Sequence, residues 1–241
     1  HDGRFNFAAM PGPGGLPLLV TVIGDHGFGS EDLRAHELGY RVQPSRTLSL
    51  DAATFYNVYD NLVTARLGAP VVARSPSPHL VLPARVVSGA AGRSYGLEVA
   101  ANWNPAERCR FAGGYTGFRM RLQRAPGTAP ITTGASTRSP NHQLHARSYL
   151  DLTPTLQLDT AFYYVSAMAG IGVPSYHRLD TRLGWRPTAE LDLSLGLQNL
   201  LDSRHPEFLA ETLTQRTEIG RNIYGKVTWR SASPPADARR M

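Results

Sequence analysis

The sequence predicts an all-β chain, an antiparallel transmembrane β-barrel segment of about ten strands. Three observations predict it. Apolar and polar residues alternate with period two in segment after segment, the segments are long, and the links between them alternate short and long.

Residues 94–103 show the alternation plainly. Tyr95, Leu97, Val99, Ala101 and Trp103 share one face, and Ser94, Gly96, Glu98, Ala100 and Asn102 the other. Residues 142–152 set Leu144, Ala146, Leu150 and Leu152 against Gln143, His145, Arg147, Tyr149 and Asp151. Residues 156–168 set Leu158, Phe162 and Tyr164 against Gln157, Asp159 and Tyr163; residues 176–187 set Leu179, Leu183 and Trp185 against Arg178, Asp180, Arg182 and Arg186. In 191–202, Leu191, Leu193, Leu195 and Leu197 alternate with Asp192, Ser194, Gly196 and Gln198, and 221–230 closes the series. Weaker strands are predicted at 16–23, 35–43, 48–60 and 109–122.

Alternation alone also suits a soluble sandwich, so length and links decide. Segments of about ten to thirteen residues exceed the roughly five or six of soluble strands and match the roughly nine to eleven that cross a bilayer at a tilt. Short links at 44–47, 104–108, 153–155 and 187–190 alternate with longer ones at 24–34, 61–93, 123–141, 169–175 and 203–220. That is the layout of a barrel with turns on one rim and loops on the other. Tyr59, Trp103, Tyr164, Tyr176, Trp185 and Trp229 are candidates for interfacial girdles, with Tyr56 and Tyr149 less regularly placed.

Composition agrees. Charged residues make up 18% of the 241, below the roughly 25% of soluble domains. No run reaches the roughly 20 apolar residues of a membrane helix. The net charge of +6 is scattered rather than gathered into a basic patch, which excludes nucleic acid as a partner. The single Cys109 excludes an internal disulfide, and the opening residues resemble no secretory signal, so an incomplete N-terminus is expected.

Specific phrases then enter. The run His36-Glu37-Leu38-Gly39-Tyr40-Arg41, Leu48-Ser49-Leu50-Asp51 and Phe55-Tyr56-Asn57-Val58-Tyr59-Asp60-Asn61-Leu62 resembles a passage of TonB-dependent outer-membrane receptors. Tyr95-Gly96-Leu97-Glu98, Asn199-Leu200-Leu201-Asp202 and Tyr224-Gly225-Lys226-Val227 resemble later strands of that family, in order. The resemblance implies the C-terminal half of a barrel of the 22-stranded type, in the outer membrane of a Gram-negative bacterium. It also implies uptake of a scarce nutrient, most often a ferric siderophore. Expected partners are membrane lipid, an N-terminal plug with the remaining strands, a metal chelate, and TonB through the plug. The plug has no match here, so the chain alone is expected not to transport. Residues 1–230 are expected to form the barrel part and 231–241 a polar, disordered tail, which departs from the family's terminal aromatic residue.

The polar face carries Glu98, Arg147, Asp159, Arg178, Asp180, Arg182, Arg186 and Lys226. Cross-strand pairing is the ordinary use of such charges; guiding an anionic ligand is the functional one, with Arg147, Arg178, Arg182 and Lys226 as candidate contacts. His142 and His145 are three apart on a strand, hence on opposite faces, and share no metal. His26 and His79 fall in predicted outer loops, where solvated histidine is the ordinary reading and haem or chelate contact the alternative. Gly12–Gly15 reads as a turn, and no nucleophile elbow or metal-hydrolase helix occurs, so neither enzyme nor cofactor is expected. The alternative is a stand-alone ten-stranded barrel with a structural, adhesive or surface-enzyme role. A surface protease would need more at its rim than Asp25, His26, Glu31 and Asp32. Lipid should meet Leu195, and Gly196 should face water and accept small polar substituents.

Overall fold

In a computed structural model, the structure describes residues 3–129, 137–208 and 217–231. The expected tail lies, from residue 232 onward, outside the described residues. The chain is all-β, and its sheet order contains an antiparallel meander. The meander runs β3 (Asp32–Ser45), β4 (Leu48–Leu67), β6 (His79–Ala106), β7 (Cys109–Arg124), β9 (His142–Asp151), β10 (Leu156–Val165), β11 (Tyr176–Trp185), β12 (Leu191–Gln198) and β15 (Asn222–Trp229). Among the described residues β3 pairs only with β4 and β15 only with β12. The wall is therefore open, and a self-closed ten-stranded barrel, which would need β3 against β15, is not formed.

The register keeps all nine strands in phase. One row passes from Leu48 through Trp103, Phe111, Ser148, Thr160, Thr181 and Leu197 to Ile223. The next row on the same face joins Leu150, Leu158, Leu183, Leu195 and Gly225. Large apolar side chains on this face stay exposed, among them Leu38, Leu97, Leu183, Leu195 and Val227. The opposite face carries Glu98, Arg147, Asp159, Arg178, Asp180, Arg182 and Lys226, while the charges on the apolar face gather at its long-loop end. In a soluble fold such an oily exposed face would be a defect; in a barrel wall it meets lipid while the polar face meets the lumen.

The register also drifts as a closed barrel requires. Trp103 stands at the short-turn end of β6, yet its row meets β15 at Ile223, six residues before the rim residue Trp229. Six strand-to-strand steps separate them, so the stagger is about one residue per strand.

Short turns behave as predicted. Ser45 Oγ accepts the Thr47 N–H, Thr153 Oγ1 accepts those of Thr155 and Leu156, and Thr188 Oγ1 accepts that of Leu191. A hydroxyl at the turn's start satisfies amides that the ladder has dropped. At this rim Trp103 stacks on Phe111 at 5.6 Å, and Trp185 and Trp229 are exposed on the same apolar face. Two girdle candidates are otherwise placed. Tyr59 turns inward to hydrogen-bond Ser94 Oγ at 3.1 Å, and Tyr176 stacks on His205 at 4.3 Å. Tyr56 instead faces outward beside Tyr95.

The long-loop rim departs most from expectation. Residues 61–93, read as a loop, prolong β4 and β6 into an arm, with β5 (Val71–Ala73) added beside β6. β2 (Pro17–Ile23) is a strand as predicted but does not adjoin β3. It runs parallel to β6, Leu18 against Leu80 through Ile23 against Arg85, and carries β1 (Arg4–Pro11) as a hairpin. β8 (Thr128–Ala129) adds to the arm's other edge at Ala65 and Arg66. A separate hairpin, β13 (Arg204–Phe208) with β14 (Thr217–Gly220), replaces part of the 203–220 loop.

The exits from the wall are marked by asparagine. Asn61 and Asn199 are the two non-glycine residues with positive φ among those described. Asn tolerates that conformation because its short amide can bond locally. Asn61 donates to Asp32 across the bulge where β4 leaves the wall; Asn199 donates to the Ile219 carbonyl where β12 ends.

Candidate functional site

The polar face of β9 to β15 forms an open depression of about 280 Å³ lined by Arg147, Tyr149, Asp159, Tyr163, Asp180, Arg182 and Tyr224, among others. Period-two alternation places them: Arg147 faces Ala161, Ala161 faces Asp180, and Tyr149, Asp159, Arg182, Gly196 and Tyr224 form the next row.

The charges divide into two kinds. Arg178 grips Asp180 through two hydrogen bonds, 2.9 and 2.7 Å, and Asp180 also accepts the Asn199 N–H at 3.0 Å. Arg182 donates to Asp159 at 2.9 Å and lies 3.7 Å from Asp192, which also meets Arg186 at 3.5 Å. Arg182 thus ties β11 to β10 and β12, whereas Arg178 and Asp180 pair along β11 itself and reach the end of β12 through the Asn199 N–H. Arg147 has no carboxylate partner among the described residues; it donates to the Tyr163 hydroxyl at 3.2 Å and lies over that ring. Arg110 likewise lies over Tyr149 at 5.3 Å. A guanidinium seated on an aromatic face keeps N–H donors for a ligand.

Of the four predicted contacts, Arg147 and Arg182 line the depression, and Arg178 joins them through the Tyr163 ring at 5.7 Å. Lys226 faces the same side opposite Ser194 but does not line it. The tyrosines 149, 163 and 224, which hold or flank the arginines, were legible only as polar-face positions. Gly196 faces the polar side as expected, but it lies under the Tyr224 ring, which any substituent there has to displace.

Other candidates resolve differently. His142 and His145 do lie on opposite faces, His142 with Tyr115 and His145 opposite Tyr163. His79 opens β6 rather than a loop and is bonded to the Ser77 carbonyl oxygen. Asp25 accepts the Gly27 N–H, Glu31 the Val63 N–H and Asp32 the Asn61 amide, so the rim acids hold backbone and bulge. Among the described residues no cluster of His, Cys, Asp and Glu could hold a metal.

The comparisons agree with this architecture. The family described as TonB dependent receptor-like, beta-barrel, matches residues 6–200. The fold is similar to the ferric-catecholate import receptor Fiu of E. coli K12, with a TM-score of 0.64 and 19% identity over 84% of this chain and 28% of that one. It is similar to the siderophore receptor PirA of Acinetobacter baumannii, with a TM-score of 0.63 and 15% identity over 88% of this chain and 33% of that one. The ferric yersiniabactin uptake receptor FyuA of Yersinia pestis gives a TM-score of 0.57 and 18% identity over 93% and 33%. The chain thus spans about a third of the length of these receptors. No curated protein matches it in sequence.

Proposed function

The chain belongs to the TonB-dependent receptor-like β-barrel family, and from that premise we propose that it is part of the barrel of an outer-membrane receptor that imports a ferric siderophore into a Gram-negative bacterium. The observation that carries the reading is the polar face, where Arg147 and Arg110 sit on tyrosine rings without carboxylate partners among the described residues. A cationic, aromatic lumen wall attracts an anionic metal chelate. Arg147 is the ligand contact; Arg178 and Arg182, tied to aspartates, position the wall; Lys226 adds charge beside them. The same wall faces the plug, and TonB acts through the plug. Residues 1–230 are the barrel part and 231–241 a polar tail. These barrel residues alone therefore do not transport.

In cells carrying the complete receptor, Arg147→Gln is expected to raise the ferric siderophore concentration for half-maximal uptake about tenfold. Cells carrying only the 241 residues should take up none; energy-dependent uptake by them would overturn the reading. The membrane placement is tested separately by single cysteines at Leu195 and Gln198 in a Cys109→Ser background. Position 195 should resist a water-soluble thiol reagent and meet a bilayer-borne quencher, with 198 the reverse. If neither position responds to the quencher, Leu195 is packed against protein and the membrane reading fails.

A further inference from the structure

On the apolar face, Arg93 of β6 lies directly opposite Arg121 of β7, and Arg119 lies two residues along, opposite Tyr95. All three are exposed. Like charges facing each other across strands repel, and no carboxylate pairs with any of the three among the described residues. Arg34, one strand beyond the intervening Val58, is already bound to Asp60 at 2.6 Å. Arg119 donates to His142 Nε2 at 3.2 Å; Nδ1 of that ring then carries the hydrogen and donates to the Tyr115 hydroxyl at 2.7 Å. The arginine is aimed by a fixed support and still has N–H groups to offer.

Height identifies what lies opposite. Arg93 stands ten residues along β6 from Trp103. At about 3.3 Å per residue and a tilt of about 40°, that is about 25 Å, the height of a barrel's apolar band. The arginines therefore sit at the headgroup level of the long-loop side, just above the outward Tyr56 and Tyr95. Beside them is a depression of about 310 Å³ lined by Tyr95, Leu97, Gly117, Arg119 and His142. At the same rim β9 to β12 present outward His142, Tyr164 and His177 but no arginine, so the charge is local rather than a ring.

We propose that Arg93, Arg119 and Arg121 bind the phosphate groups of a membrane lipid in the outer leaflet, with its proximal chain lying in the depression beside Tyr95 and Leu97. Guanidinium forks match phosphate geometry, and the lipid removes the repulsion that the bare arginines suffer. This rests on the barrel-wall reading, and membrane insertion is measured for each variant to keep the two apart.

The test is native mass spectrometry of the membrane-assembled protein with bisphosphorylated lipid A as probe. Arg93→Gln with Arg121→Gln should lower retention about tenfold or more, Arg93→Lys with Arg121→Lys should keep most of it, and Arg46→Gln, in a turn at the other rim, should leave it unchanged. Equal retention by wild type and the glutamine pair overturns the proposal. So does displacement of the lipid by millimolar inorganic phosphate, which would make the site one for the free anion. If the glutamine pair does not insert, the ligand is changed instead: wild type should prefer lipid A to its dephosphorylated form, and equal retention of both overturns the site.

Discussion

The wall and the arm are built from the same two strands and follow different rules. Up to Tyr59 on β4, and from Gly92 on β6, the pairs keep one unbroken register, and the outward side is apolar below the arginine at its upper end. Beyond the bulge at Asn61 the strands continue, but their neighbours become β5, β8 and a β2 running parallel to β6. In the wall, two solvents impose a period of two on the sequence. In the arm, water reaches both sides, and order comes from a few buried positions such as Thr64, Ala65 and Ala84.

The largest expected difference is in tolerance of charge. Leu195→Arg, on the lipid side of the wall, should cost about 2–4 kcal/mol in equilibrium unfolding from phospholipid vesicles. Val72→Arg in the arm, where Val72 is 59% exposed, should stay within about 0.5 kcal/mol. Equal costs would erase the distinction.

Glycines sharpen it inside one strand pair, β12 with β15. Gly196 lies under the Tyr224 ring, whereas Gly225 has open space around it. Gly196→Ala should cost about 1–3 kcal/mol as the ring is displaced, and Gly225→Ala at most about 0.5 kcal/mol. The same unfolding series measures both, and a silent Gly196→Ala would mean the ring moves freely.

The two exits from the wall should respond unequally. Asn199 is fully buried, with its amide on the Ile219 carbonyl, so Asn199→Ala should cost about 1–2 kcal/mol and speed amide exchange across β14. Asn61 is exposed and bonds an exposed Asp32, so Asn61→Ala should cost less in the same measurement.

How much of this was legible follows from the physics. Leu191 to Leu197 could be read because each leucine answers to lipid independently of its neighbours. The phrases around Asn61 and Asn199 were readable as resemblance, but their role as wall exits needed backbone angles. The arm was illegible because β2 finds β6 some sixty residues away in sequence, and no local period records that choice. In the site, Arg147 was legible as a polar-face cation. What sets it apart is its partner: Arg147 bonds Tyr163, Arg178 meets Asp180 two residues along its own strand, and Arg182 reaches Asp159 through the register of β10 and β11, a choice no local period records.

The smallest effect is expected where arm and rim loop meet through charge. Arg85 on β6 lies 3.9 Å from Asp25, the arginine 54% exposed and the aspartate 29%. At that distance and exposure water and salt screen the pair, so Arg85→Gln and Asp25→Asn should show a coupling below about 0.5 kcal/mol in a double-mutant cycle. β2 is held to β6 by the parallel ladder from Leu18 to Ile23. Its amides should therefore exchange in the double variant as slowly as in the parent. The wall's pairs differ in kind: Arg178 and Asp180 meet in two hydrogen bonds at 26% and 18% exposure. Were the β2 amides to open on losing Arg85 or Asp25, the arm would be held by charge rather than by its ladder. The contrast drawn from register alone would then fail.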